Sequence, residues 1–83
     1  MNKPVEFTET ASFWLLNKDF VTEMVIINVV QDFPKNKREY VEPDCFTVSF
    51  RRRKKWIIIW VHEFPEQFLV YNLHSSNYPS VRK

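Results

Sequence analysis

A run of five basic residues at positions 51–55 is followed at once by a segment in which successive side chains alternate as they do in a β-strand. Cations bind phosphate groups and aromatic rings stack on bases, so this combination is typical of surfaces that bind single-stranded nucleic acid. Imidazoles in and after the segment add polar groups to the same face. The sequence therefore predicts a nucleic-acid-binding surface made of Arg51, Arg52, Arg53, Lys54, Lys55, Trp56, Trp60 and His62.

Part of this surface has residue types suited to RNA cleavage. Attack of the ribose 2′-hydroxyl on the phosphate needs a base, an acid and a cation that stabilises the charged phosphorane, and imidazole and guanidinium groups supply them without a metal ion. The predicted face carries residues of these types, the arginines Arg51 and Arg53 and the histidines His62 and His74. No metal or other cofactor is expected, because Cys45 is the single cysteine and no Cys/His cluster has the spacing of a zinc site.

Each of these features also has a structural explanation. Like charges at a hairpin tip are often solvated, and they discourage pairing between sheet edges. Trp56 and Trp60 would be buried if they lay beneath a helix or in a dimer interface. A histidine at a strand end, such as His62 or His74, is more often structural than catalytic. The residue types alone leave both interpretations open.

The first half of the chain predicts a short strand and two helices. Residues 4–7 alternate apolar and polar side chains, as an edge strand does. Thr8 and Thr22 are suitable N-caps for two helices, and Pro34 ends the second one. Residues 34–44 are charged and bounded by prolines, which predicts a loop between this half and the strands that follow.

The second half predicts a three-stranded antiparallel meander. A two-residue loop at Arg53-Lys54 places the apolar residues of the first two strands on one face, whereas a slip of one residue would mix the faces. The predicted pairs are Arg51–Trp56, Ser49–Ile58, Thr47–Trp60 and Cys45–His62 on one face, and Phe50–Ile57, Val48–Ile59 and Phe46–Val61 on the core face. The last strand is assigned Leu69, Tyr71 and Leu73 on its core side, and Phe68, Val70, Asn72 and His74 on its outer side.

Length and composition predict a single α+β domain over residues 1–76 with a flexible tail over residues 77–83. The absence of glycine excludes phosphate-binding glycine loops of the P-loop and Rossmann kinds. Residues 1–50 carry five basic and eight acidic side chains, whereas residues 51–83 carry seven and two, so an anionic partner would suit the second half. No apolar run is long enough to span a bilayer and no signal peptide is recognisable, which predicts a cytoplasmic protein.

The order of these elements resembles the RelE/ParE-like toxin superfamily, most closely its small uncharacterised families. The resemblance covers residues 4–76, from the start Val5-Glu6-Phe7-Thr8-Glu9-Thr10-Ala11 to the final strand Val70-Tyr71-Asn72-Leu73-His74-Ser75-Ser76. It implies an mRNA endonuclease, ribosome-associated or free, that is neutralised by a small antitoxin covering the basic face. ParE-like members act on gyrase instead, and other members have no known activity. Carried over residue by residue, the resemblance points to Arg51, Arg53, Lys54, Tyr71 and His74, and it implies Arg51, Arg53 and His74 as the candidate catalytic residues.

Two departures from the family pattern affect what can be carried over. Many small relatives place a histidine immediately before the helix alanine, in a Phe-Thr-x-His-Ala pattern, and this chain has Thr10 there. Any function of that histidine is therefore missing. The relatives' usual glycine before the second helix is also absent, and Asp19-Phe20 stand in that region.

The leading hypothesis is a RelE-like RNA-binding domain that acts as a metal-independent endonuclease toxin, with RNA and an antitoxin or another small protein as partners and no membrane. The alternative is a non-catalytic protein-interaction module of a phage or mobile element, with its exposed Trp and Phe residues in an interface such as that of a homodimer. A reader of duplex DNA is disfavoured, because neither predicted helix carries a basic face.

Overall fold

The computed structural model describes residues 3–18 and 21–78, and within them the chain is an α+β domain, as predicted. Two helices precede most of a five-stranded mixed sheet. The elements in chain order are β1 (Val5–Phe7), α1 (Glu9–Leu16), α2 (Glu23–Asp32), a 3-10 helix (Lys35–Lys37), β2 (Glu39–Glu42), β3 (Cys45–Arg52), β4 (Lys55–Glu63) and β5 (Phe68–Ser76).

Both helices begin at the predicted N-caps. The Thr8 hydroxyl oxygen accepts a hydrogen bond from the Ala11 N–H, and the Thr22 hydroxyl accepts one from the Val25 N–H, each at 3.3 Å. These bonds satisfy backbone donors that a helix start otherwise leaves unpaired. Helix α2 ends at Asp32, because the residue before Pro34 adopts an extended conformation.

The sheet has the strand order β1-β5-β4-β3-β2, with β1 parallel to β5 and the other pairs antiparallel. The predicted meander is therefore the middle of a larger sheet. The expectation of a loop over residues 34–44 was wrong, since this segment contains the 3-10 helix and β2. Strand β2 lies at the sheet edge, where a charged residue such as Glu42 remains exposed, so its composition resembles that of a loop.

The register between β3 and β4 agrees with the prediction at every pair, from Cys45 opposite His62 to Arg51 opposite Trp56. The connection is the two-residue turn at Arg53 and Lys54. Both residues have positive φ angles, 50° and 70°, which glycine or asparagine usually supplies in such turns. The glycine-free chain forms this turn with cationic side chains, and both remain exposed to solvent.

The faces of β5 differ from the prediction, because a β-bulge shifts the register. Trp60 is opposite Asn72 but Val61 is opposite Val70, so Tyr71 is the additional residue. As a result Phe68 and Val70 are buried in the core, whereas Leu69 and Tyr71 are not. Only Leu73, of the three residues predicted for the core side, lies there. Asn72 and His74 lie on the outer side, as predicted.

The core is formed between one face of the sheet and the two helices. The buried residues of this cluster are Val5, Ala11, Leu15, Val21, Ile26, Val30, Phe46, Val48, Ile57, Ile59, Val61, Phe68, Val70 and Leu73. The opposite face of the sheet, called here the outer face, carries no helix among the described residues. Of the residues at which the sequence departs from the family pattern, Thr10 lies in α1, and Asp19 and Phe20 lie outside the described residues.

The segment 77–83, predicted to be a flexible tail, is described only as far as Tyr78. Strand β5 ends at Ser76, and Asn77 accepts a 2.8 Å hydrogen bond from the Lys55 ammonium group. This bond holds the first residue after β5 against the start of β4. The flexibility of the remaining residues stays a prediction.

An ionic cluster around Glu63 lies where the core face meets solvent. The Glu63 carboxylate accepts hydrogen bonds from Lys3 at 3.0 Å and from Arg38 at 3.5 Å, and the Tyr40 hydroxyl donates to it at 3.4 Å. Arg38 is only 8% exposed and lies 4.3 Å from the Phe46 ring centroid. Burial alone would raise the pKa of Glu63, but Lys3, Arg38 and Tyr40 outweigh it and hold the pKa below its ordinary value.

Glu63→Gln is expected to lower the free energy of unfolding at pH 7 by about 1–2 kcal/mol, because the buried guanidinium loses its anionic partner. The folded pKa is depressed, so the contribution of Glu63 is fully present above the unfolded pKa, near the ordinary 4.5. That contribution is lost as the pH falls through the lower folded value. Urea unfolding of the wild type and the variant at pH 7 and pH 3 should therefore show a difference that shrinks at pH 3.

The matched control is Glu66→Gln, at an exposed carboxylate of the turn before β5. It should change the free energy of unfolding by less than about 0.5 kcal/mol at both pH values. Equal effects of the two substitutions at pH 7 would contradict the role assigned to the cluster.

Candidate nucleic-acid interface

The basic residues form the tip of the β3–β4 hairpin. Arg51 and Arg52 end β3, Lys55 begins β4, and Arg53 and Lys54 form the turn between them. All five side chains are exposed. The hairpin register therefore concentrates five positive charges at one end of the sheet, where the field of each adds to that of its neighbours.

An aromatic ring lies directly beside these charges. Trp56 is the cross-strand partner of Arg51, and the guanidinium carbon of Arg51 lies 5.9 Å from the Trp56 ring centroid. This distance allows a cation–π contact. Trp56 is half-buried, and on its other side it is paired with Ser76 of β5. The predicted combination of a cation and a stacking ring is thus present at the start of β4.

The outer face continues from this pair along β4. Ile58, Trp60 and His62 follow Trp56 at intervals of two residues, and their cross-strand partners share the face. Those partners are Cys45, Thr47, Ser49, Leu69, Asn72 and His74, with the bulge residue Tyr71 beside Asn72. The expectation that the two tryptophans could lie under the second helix does not agree with this geometry, because the helices pack on the opposite face.

Aromatic side chains cover the middle of the outer face, where the described part of the chain places no helix. Ile58, between Trp56 and Trp60, is only 1% exposed, and Thr47 opposite Trp60 is 3% exposed. The Trp60 and Tyr71 rings lie 6.4 Å apart between centroids. The indole N–H of Trp60 is buried and has no hydrogen-bond partner among the described residues. The tryptophans therefore contribute to stability as well as to the surface.

Tyr71, Cys45 and His62 lie at the end of the outer face that is distant from the hairpin tip. Cys45 is buried at this end of the face. Burial is the main cause that raises the pKa of Tyr71 above its ordinary value, and Cys45 and the Glu42 carboxylate act in the same direction. The His62 ring stacks on Phe64 at 4.4 Å between centroids. These contacts are typical of a structural cluster.

The predicted binding residues are therefore only partly brought together. Arg51 to Trp56 form one continuous patch. Trp60 lies farther along β4 on the same face, two residues after Ile58. His62 lies seven residues along β4 from Lys55, which corresponds to about 23 Å of extended chain. The structure thus separates His62 from the cations, and a ligand would need several nucleotides to contact both ends.

The three candidate catalytic residues are more widely spaced than a compact site requires. His74 is the cross-strand partner of Ile58, so it lies two strands and two residues from Arg51. With strands about 4.8 Å apart and a rise of about 3.4 Å per residue, their Cα atoms are about 12 Å apart. Arg53 lies beyond Arg51, in the turn. The arginine side chains are long enough to approach a bound phosphate from the hairpin side while His74 approaches it from β5.

Sequence reasoning misplaced one residue of this interface and missed another. The family resemblance pointed to Tyr71, but the strand pattern assigned it to the core side, and it lies on the outer face. No residue type in β5 predicts the bulge that places it there. Asn77, assigned to the tail, is held against the hairpin by Lys55. A signal for the second was available, since a strand that pairs with β4 over its full length must end beside Lys55.

Comparison with known proteins returned no matching family model, no matching curated protein and no matching solved structure. The described residues contain no helix long and apolar enough to cross a membrane. They also contain no group of three or more metal-ligating side chains. The geometry of the interface is therefore the basis on which a function can be assigned.

Proposed function

We propose that this protein is a RelE-like RNA-binding domain that holds single-stranded RNA on the hairpin tip and the adjoining outer face. The observation that carries the proposal is the Arg51–Trp56 pair at the base of a five-cation hairpin, with the Arg51 guanidinium 5.9 Å from the ring. In this arrangement the cations neutralise successive phosphates, and a base stacks on the ring surface that Arg51 leaves open.

The exposed side of the hairpin supplies affinity rather than sequence selectivity. Five cations bind any phosphodiester backbone, and their contribution falls steeply with salt because counterions are released on binding. Selectivity for single strands comes from the rings, since paired bases do not offer their faces for stacking. The outer face is therefore suited to unpaired RNA, and the proposal assumes a cytoplasmic protein that meets mRNA.

The proposal extends to metal-independent cleavage with Arg51, Arg53 and His74 as the candidate residues. RNA threaded between the hairpin and β5 would lie between Arg51 and His74, which are on flanking strands of the outer face. Supporting this part is the presence of an imidazole and a guanidinium on one open face. An antitoxin or another small protein that covers the basic tip would block both binding and cleavage.

The deciding experiment is binding of a labelled single-stranded RNA across a salt series. The Arg51→Ala/Arg53→Ala/Lys54→Ala variant should bind more weakly by at least about tenfold, and the slope of log affinity against log salt should fall by about 2, at roughly 0.7 for each cation removed. Incubation of the same samples in EDTA, followed by electrophoresis, reports cleavage.

The matched control is Lys18→Ala/Lys35→Ala/Lys37→Ala, which removes the same charge away from the hairpin. It should retain both the affinity and most of the salt slope. Equal losses in the two variants would indicate a general charge effect and overturn the interface. Wild-type protein that binds but leaves the RNA intact would retain the RNA-binding part and remove the endonuclease part.

A further inference from the structure

A second aromatic ring lies near the hairpin tip, just after the end of β5. Tyr78 is 56% exposed, and among the described aromatic residues only Phe13, in α1, is more exposed. Tyr78 is close to Trp56 in the fold, because Ser76, two residues before it, is the cross-strand partner of Trp56. Cross-strand Cα atoms are about 5 Å apart and two residues of chain span at most about 7 Å, so the Cα atoms of Trp56 and Tyr78 lie within about 12 Å.

The Ser76 side chain shows on which side of the sheet the chain continues to Tyr78. Ser76 lies on the outer face, because it is paired with Trp56 across the strands. Its hydroxyl oxygen accepts a hydrogen bond from the Tyr78 N–H at 3.1 Å. A serine hydroxyl that binds the backbone two residues later forms a local turn. The chain therefore turns toward the outer face at Tyr78, which is the face that carries Trp56.

The residue between them, Asn77, is held from the opposite side of the sheet. Side chains alternate between the faces of a strand, so Lys55 projects away from the face of its neighbour Trp56. The Lys55 ammonium group donates a 2.8 Å hydrogen bond to the Asn77 side-chain oxygen. Two consecutive residues after β5 are thus anchored, Asn77 through Lys55 and Tyr78 through Ser76. An anchored ring loses less conformational entropy when it binds a ligand than a ring on a loose chain end.

We propose that Tyr78 is a second stacking ring of the RNA interface. The RNA strand crosses the end of the sheet, from Arg51 on β3 over Trp56 on β4 to Tyr78 after β5. Neighbouring unpaired bases stack on the two rings, while the cations of the hairpin tip bind the phosphates. This inference rests on the proposed RNA-binding function, and it specifies the path of the ligand over the site.

The other path over the outer face, along β4 away from the tip, offers less to a nucleic acid. The His62 ring is stacked on Phe64 with an interplanar angle of 2°, so one of its two faces is already covered. The Trp60 indole N–H is buried, so it is not available to a base. Residues 56–62 of β4 contain no lysine or arginine, so phosphates on this path would lack a cationic partner there.

The test is binding of a labelled single-stranded RNA of about eight nucleotides, a length within the range that such surfaces bind. Tyr78→Ala should weaken binding by about fivefold or more, through the loss of one stacked base. The slope of log affinity against log salt should not change, because no cation is removed. Tyr78→Phe should bind as the wild type does, since its ring still stacks. In NMR titrations the RNA should shift the signals of Trp56 and Tyr78 and leave those of His62 unchanged.

The matched control is Phe13→Ala, which removes a still more exposed ring from α1, on the other side of the sheet, and should leave RNA affinity unchanged. The inference is overturned if Tyr78→Ala binds RNA as the wild type does, or if the RNA shifts Trp60 and His62 instead of Tyr78. In either case, RNA binding by the wild type would leave the proposed function standing. Wild-type protein that binds no RNA would overturn both the proposed function and the role of Tyr78.

Discussion

Phe46→Ala is expected to lower the free energy of unfolding by about 3–5 kcal/mol, the range observed when a buried phenylalanine is truncated. Phe46 is fully buried, and its ring joins parts of the fold that are distant in sequence. It packs edge-on against Phe68 of β5, with ring centroids 6.0 Å apart, and at 5.3 Å from Tyr40 of β2. The Arg38 guanidinium covers it at 4.3 Å.

This loss is large in relation to the total stability of so small a domain. At roughly 0.05–0.15 kcal/mol per residue, a chain of this length has about 4–12 kcal/mol of stability, so one truncation removes a large share. Loss of the ring also removes the nearer of the two phenylalanine rings on which Arg38, the partner of Glu63, packs. Urea unfolding followed by circular dichroism would measure the change.

Phe13→Ala provides the matched control, because it makes the same chemical change at a ring that is largely exposed on α1. Its effect on the free energy of unfolding should be within about 0.5 kcal/mol. Similar values for the two variants would mean that Phe46 does not lie between the strands and the Arg38 cluster as described. Such a result would place the core elsewhere in the chain.

The hairpin and the helix starts could be predicted from the sequence because each depends on a local rule. The β3–β4 register follows from the alternation of apolar and polar residues, because only this register places pairs such as Phe50–Ile57 and Phe46–Val61 together on one apolar face. The helix starts follow from threonines that can cap them, Thr8 and Thr22. In both cases one arrangement satisfies the pattern and the nearest alternative does not.

The faces of β5 could not be predicted in the same way. Phe68, Leu69, Val70 and Tyr71 are consecutive and all largely apolar, so either alternate set could face the core. The bulge at Tyr71 then allows Phe68 and Leu73, which differ in parity, to lie on the same side. Strand β2 was missed for another reason, because it is short, half of its residues are charged, and its one described strand partner is β3.

The candidate interface was predictable at its tip and not at its ends. Arg51 and Trp56 meet because the two-residue turn fixes their register. The distance from these residues to His62 and His74 depends on strand lengths and on the bulge, which lie outside any local rule. The sequence therefore placed the same residues on the outer face as the structure does, but it could not show that the imidazoles lie away from the cations.

Trp56→Ala is expected to weaken binding of single-stranded RNA by about 5- to 150-fold, which corresponds to the 1–3 kcal/mol that a stacked base contributes. Trp56 is the ring nearest the basic tip, and the Arg51 guanidinium lies 5.9 Å from its centroid. Removal of the ring leaves all five cations in place. The salt dependence of binding should therefore stay the same while the affinity falls, and fluorescence anisotropy across a salt series measures both quantities.

Trp14→Ala is the matched control, because Trp14 is also half-buried but packs with α1 against the core on the other side of the sheet. Both substitutions remove an indole and should reduce stability, whereas only Trp56→Ala should reduce RNA affinity. Trp56→Phe should restore much of that affinity, since a smaller ring still stacks. If both alanine variants bind RNA as the wild type does, Trp56 only covers Ile58, and the cations alone account for binding. If both lose affinity in proportion to their loss of stability, the effect comes from unfolding rather than from stacking.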